Sequence, residues 1–142
     1  MSIASHLETD LLKIAKDVEF SVNVRTLGSN TSLMTMIAND YSHENVFASE
    51  LEMLGKSKDK LIVISSSGNS LNVVKAVEQA NRMDMESYSL IGFSHSKAEN
   101  LAQFSLNLNL NEGEYATAED VHSVICHAIS EKVKSLILKK EV

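Results

Sequence analysis

Residues 60–70 read Lys60-Leu61-Ile62-Val63-Ile64-Ser65-Ser66-Ser67-Gly68-Asn69-Ser70, and they decide the fold. The first six form a continuous aliphatic and β-branched run. Such a run fits a strand buried on both faces, as in a parallel sheet covered from either side by its crossovers. Beyond the serines, Val73, Val74, Val77 and Ala80 fall on one stripe of a helix expected over residues 70–83, with Ser70 as N-cap. In open α/β sheets, ligands bind outside the carboxyl ends of the strands. Four serine hydroxyls and the free N–H groups of a helix start can surround a phosphate without any lysine. Gly68 lets the backbone turn tightly or come close to a ligand. The same residue types also make an ordinary polar strand-to-helix turn, and composition alone does not separate the two.

The alternation continues outward in both directions. Towards the C-terminus, residues 87–93 (SYSLIGF) read as a strand, 97–103 as a short helix, Phe104–Leu110 (FSLNLNL) as a strand of strict period two, and 117–140 as a long final helix. Towards the N-terminus, Ile3, Leu7, Leu11, Ile14 and Val18 mark a helix over residues 3–18. Phe20, Val22 and Val24 suggest a strand over residues 20–27 that stops at Gly28. Ser29-Asn30-Thr31-Ser32 is a turn and capping cluster, followed by a short helix to Asp40 and a second over residues 43–54 that Gly55 ends. Four strands alternating with helices predict one α/β domain over residues 1–142, with a parallel sheet, right-handed crossovers and helices flanking it.

The chain has 142 residues, the size of one ordinary domain. At 44% hydrophobic and 23% charged it is not disordered, and a single cysteine, Cys126, excludes a disulfide framework. Its 13 basic and 19 acidic residues give a net charge of −6, which argues against broad nucleic-acid binding but permits a local anion site. No apolar run approaches a membrane span and no signal-like segment opens the chain, so the expected location is the cytoplasm, away from membranes.

Two groups of residues could carry acid–base chemistry. His6 and Asp10 are four apart on the first helix and share a face, a spacing that also suits a metal pair. On the last helix Glu119 and His122 stand at i, i+3, with His127 further down; by spacing alone Glu119 and His122 are the better pair. A solvated helix face is the plain alternative for His6 and Asp10. His122 is expected to pack or cap, and Cys126 to be a small buried hydrophobe. His43 and His95 receive no role. Lys132, Lys134, Lys139 and Lys140 read as a solvated helix end that complements the dipole.

Residues 61–80 (LIVISSSGNSLNVVKAVEQA) resemble the core of the SIS (sugar isomerase) domain, and most nearly that of the phosphoheptose isomerases. Leu33-Met34-Thr35-Met36-Ile37-Ala38-Asn39-Asp40-Tyr41 with Val46-Phe47 is similar to the family's "LTAIANDY…VF" segment. Ser2-Ile3-Ala4-Ser5-His6 resembles the tail of its "GNGGSA…H" loop, and Glu119-Asp120-Val121-His122 with His127 its "QExH…H" helix. The blocks follow the family's order along essentially the whole chain.

The resemblance implies a doubly wound, SIS-type parallel sheet in a homotetramer that binds a phosphosugar and needs no nucleotide cofactor. It implies interconversion of sedoheptulose 7-phosphate and D-glycero-D-manno-heptose 7-phosphate through an enediol. Carried over by position, Ser65, Ser66, Ser67 and Ser70 hold the phosphate, Ser2 belongs to a first phosphate loop, and Asn39, Asp40 and Glu119 line the substrate site. Asp10 becomes the general base and His127 the general acid, and His6, Asp10, Glu119 and His127 match positions that hold Zn²⁺ in some members. Two positions depart from the pattern: the family usually has Glu at Asp10 and Gln at Glu119. A shorter carboxylate withdraws a base by one methylene. Glu119 and His127 are also about 12 Å apart along an ideal helix, so their meeting at one site needs reach or a neighbouring subunit.

The family carries an N-terminal helix and a first strand ending in Gly-Asn-Gly, on the order of 50 residues, and this chain is expected to enter just after that turn. The sheet is therefore expected to hold four strands, with residues 20–27 collapsed onto Lys60–Ser65 or left at a poorly paired edge. The alternative function is a non-catalytic phosphosugar-binding or protein-interaction SIS module, since such a module would keep the serine loop while altering the carboxylate set.

Overall fold

Lys60–Ser65 forms β1, the first strand of a parallel sheet ordered β1-β2-β3, with β2 at Glu86–Phe93 and β3 at Phe104–Leu110. The computed structural model describes residues 2–140, Lys140 by its backbone only. Its helices are α1 (Ile3–Asp17), α2 (Thr31–Asp40), α3 (Val46–Leu54), α4 (Leu71–Arg82), α5 (Lys97–Leu101) and α6 (Tyr115–Lys140), with a 3-10 turn at His43–Asn45 before α3. Backbone contacts divide the chain into two compact units, one of residues 27–118 and one of the described residues before 27 and after 118. Among the described residues no helix is long and apolar enough to cross a membrane.

In the larger unit the register places Ile62 beside Tyr88 and Tyr88 beside Phe104, so these side chains share one face. The opposite face presents Leu61 and Val63, which join Leu51, Ala76, Val77, Ala80, Met85, Ile91 and Ala98 in one buried cluster. Of the inner stripe expected of α4, Val77 and Ala80 lie in this cluster and Val73 packs against it, with Ala76 added.

Two expectations are corrected. β1 is not buried on both faces: Ile62 is 39% exposed and Phe104 of the same face 55%. The core cluster draws on α3, α4 and α5 and covers only the Leu61 face, while Tyr88 and Phe104 stack at 5.0 Å on the other. The sheet has three strands rather than four, because residues 20–27 form none. The physical reason lies at the end of α1. Glu19 takes a left-handed conformation, and the Phe20 N–H donates to the Ala15 carbonyl, a Schellman stop that turns the chain out of the helix. The following residues alternate as a strand would, but a strand exists only through a hydrogen-bonded neighbour, and they join no ladder.

In the smaller unit Ser2 caps α1, its Oγ accepting from the Ser5 N–H at 3.2 Å. Leu7, Ile14 and Ala15 are the buried positions of α1. On α6, His122, Cys126 and Ser130 recur every four residues as a buried stripe. The Glu8 carboxylate accepts from the Thr26 N–H at 2.8 Å and pins the segment after α1. At the lysine-rich end of α6, Lys132 and Lys139 are exposed; the Lys140 side chain lies outside the described residues.

Candidate active site

The serine loop leaves β1 at the carboxyl edge of the sheet, where a parallel sheet exposes its ligand-binding crevice. Two of its hydroxyls shape the loop itself. Ser65 Oγ accepts from the Gly68 N–H at 2.9 Å, and Ser67 Oγ accepts from the Asn69 N–H at 3.2 Å. Each hydroxyl keeps its own proton to donate to an anion. The Ser66 carbonyl accepts from the Gly92 and Phe93 N–H groups, which ties the loop to the end of β2. Ser70 occupies the N-cap of α4 without a side-chain capping bond, so its hydroxyl is not committed to the helix. Gly68 has φ +60, and a Cβ there would lie 1.9 Å from Ser96 Oγ, so only glycine fits.

Asn39 and Asp40 stand exposed at the C-terminal end of α2. The other end of that helix is capped by Asn30, whose Oδ1 accepts from the Leu33 N–H at 3.2 Å, and ahead of the cap the Gly28 N–H donates at 2.7 Å to Glu50, a carboxylate only 1% exposed on α3. Sequence reading passed over Glu50. The available signal was a glutamate inside the apolar stripe of VFASELEML, where a buried carboxylate needs a donor.

The acid–base residues of the smaller unit converge. His6 Nε2 and His127 Nε2 lie 3.4 Å apart although 121 positions separate them in the chain. Asp10 presents Oδ1 to His6 at 3.7 Å and Oδ2 to His127 at 3.8 Å. The rings meet edge-on at 74°. A hydrogen bond between the two Nε2 atoms needs a proton on one of them, and a shared metal ion needs it on neither. One ligand atom from each of the three residues lies within 4.8 Å of the others. Donors about 2.1 Å from a tetrahedral zinc ion lie about 3.4 Å from one another, so His6, Asp10 and His127 could hold a metal ion and leave a fourth position open.

Glu119 stands outside this group, exposed two turns before His127 on α6. The expected four-residue metal set is thereby reduced to three. The helix is unbroken between the two residues, and its rise carries Glu119 away from the cluster. His122 is buried while Glu119 is exposed, so the pair favoured by spacing is split between two environments. Ser2 is used in capping α1.

The pattern of the SIS domain matches residues 14–92, more than half of the chain. A phosphoheptose isomerase of Helicobacter pylori (strain HPAG1) is 35% identical over 133 residues, which cover 94% of this chain and 68% of the relative. The chain belongs to the phosphoheptose isomerase family of SIS domains. The family's solved structures agree with the fold. Phosphoheptose isomerase GmhA from Neisseria gonorrhoeae superposes with a TM-score of 0.83 at 29% identity, over 93% of this chain and 69% of its own. A phosphoheptose isomerase from Francisella tularensis gives 0.78 at 27% identity, over 91% and 67%. The SIS match contains Asn39, Asp40 and the serine loop. His6 and His127 lie outside it and are brought together with Asp10 by the packing of α1 on α6.

Proposed function

We propose that the protein is a phosphosugar isomerase of the phosphoheptose type, interconverting sedoheptulose 7-phosphate and D-glycero-D-manno-heptose 7-phosphate. Family membership supports the substrate class, and the convergence of His6, Asp10 and His127 is the single observation that carries catalysis. Ser65, Ser66, Ser67 and Ser70 receive the phosphate, with Ser2, Asn39, Asp40 and Glu119 retained as candidate substrate contacts. Asp10 removes the proton from the carbon beside the carbonyl, and His127 delivers one to the carbonyl oxygen, giving the enediol. The reverse transfers at the neighbouring carbon complete the exchange of ketose and aldose. His6, Asp10 and His127 would hold a Zn²⁺ ion, which when bound would supply Lewis-acid polarisation of a substrate oxygen. His127 Nε2 cannot hold a metal and donate a proton at once, so a chelator separates the two modes: activity that survives it assigns His127 as the acid.

The proposal extends to a cytoplasmic homotetramer supplying a heptose phosphate to lipopolysaccharide biosynthesis. Leu12, Phe20, Val124 and Leu136 are exposed apolar side chains of the kind a partner copy covers. The test is direct isomerisation of sedoheptulose 7-phosphate. Asp10→Asn and His127→Ala are each expected to lower kcat by about 10²–10⁴; a fully active double variant refutes the roles. The second reading is a phosphosugar-binding module without turnover, favoured by the short Asp10 carboxylate. Calorimetric binding of sedoheptulose 7-phosphate with no isomerisation selects it.

A further inference from the structure

The loop between β2 and α5 meets the serine loop through the side chains of Asn69 and Ser96, and the larger share falls to Asn69. Asn69 Oδ1 accepts from the Lys97 N–H at 3.0 Å, and Asn69 Nδ2 donates to the His95 carbonyl at 3.4 Å. The opposite orientation of the carboxamide would set carbonyl against carbonyl and N–H against N–H, so the network itself assigns the amide. A second tie runs beneath it to the Gly68 carbonyl, which accepts from the Ala98 N–H at 3.0 Å and from Ser96 Oγ at 3.3 Å. His95 is held at φ +64, a left-handed conformation costly for a residue with a Cβ, and its carbonyl is the one Asn69 grips.

We infer that Asn69 is a positioning residue for the phosphate: its carboxamide braces the serine loop against the β2–α5 loop and fixes the directions of Ser67 and Ser70 on either side of it. This rests on the serine loop being the phosphate site, as proposed above. Only a carboxamide does the task. Aspartate offers no donor to the His95 carbonyl, and serine has one polar atom where two are needed. Asn69 is exposed and the Gly68 tie remains without it, so its removal leaves the fold standing while loosening the loop.

The experiment measures kcat and KM for sedoheptulose 7-phosphate, Ki for inorganic phosphate, and Tm, in the wild type, Asn69→Ala and Asn69→Gln. In Asn69→Ala, KM and the phosphate Ki are expected to rise together by about tenfold, for two hydrogen bonds lost from a binding loop. Its kcat stays within about threefold and Tm within a few degrees, and Asn69→Gln recovers part of the loss. A second pair of variants leaves Asn69 in place. Lys97→Pro deletes the N–H that Oδ1 receives, at a first helical position where proline is tolerated and after a Ser96 already extended at ψ 134. Lys97→Ala keeps that N–H, so only Lys97→Pro should raise the phosphate Ki. A folded Asn69→Ala with unchanged KM and Ki, or equal effects of the two Lys97 variants, overturns the inference. A wild type that binds no phosphate overturns it together with the proposed function, whereas phosphate binding without turnover overturns only the isomerase and leaves the calorimetric Kd for inorganic phosphate, compared across the same variants, to judge Asn69.

Discussion

Cys126 is 2% exposed and directly precedes His127, yet its sulfur is held away from chemistry. Burial pushes the thiol above its ordinary value of 9.0, and the nearby Asp10 charge adds to the shift. The thiolate is the reactive form, so a disulfide reagent at pH 8 is expected to leave the native protein unmodified and to titrate one thiol in denaturant. Rapid native labelling contradicts this packing. A raised folded-state pKa stabilises the fold fully below the unfolded value, and the contribution is lost as pH rises from 9.0 through the folded value. Cys126→Ala should therefore flatten the alkaline limb of a stability curve. The buried character of Cys126 was legible from its place in an apolar stripe. The buried Glu50 carboxylate was not, because its partner is a backbone N–H on another segment, and no side-chain pattern announces a backbone donor.

The strand–loop–helix from β1 to α4 was legible almost residue for residue, since a continuous aliphatic run, a glycine-bearing turn and a helical stripe each carry a local signal. The loop's tightness has a measurable consequence. Gly68→Ala sets a Cβ 1.9 Å from Ser96 Oγ and 2.8 Å from Ile91 Cδ1 at a left-handed position. Strain and overpacking together should cost about 2–4 kcal/mol, read as a lower denaturation midpoint with unchanged slope. A neutral substitution would mean that the loop adopts another conformation. Residues 20–27 teach the opposite lesson. Their alternation was real, but Phe20 and Val22 remain exposed because periodicity describes one strand and a ladder needs two.

For the folded protein as a whole, sugar-phosphate binding must appear as added stability, because a ligand that binds only the folded state shifts the unfolding equilibrium. Sedoheptulose 7-phosphate at a hundredfold excess over Kd should contribute about 2.7 kcal/mol and raise Tm by roughly 5–10 °C. Inorganic phosphate at comparable saturation should do the same, and glucose without a phosphate should not. A Tm indifferent to all three would remove the serine loop from the binding site.

The amino-acid sequence alone was enough to specify the α/β class, the strands at 60–65, 87–93 and 104–110, the serine loop at a strand's carboxyl end and the family, because each is written in neighbouring residues; that residues 20–27 join no ladder was not. Its spacing favoured Glu119–His122, the pair that burial splits, and could not join any residue of the last helix to His6 and Asp10. Tertiary structure decided that His6, Asp10 and His127 form the cluster, that Glu119 stands apart, and that Asn69 links two loops. The cause is geometric: a straight helix separates residues eight apart by about 12 Å, while packing brings side chains 121 positions apart to 3.4 Å.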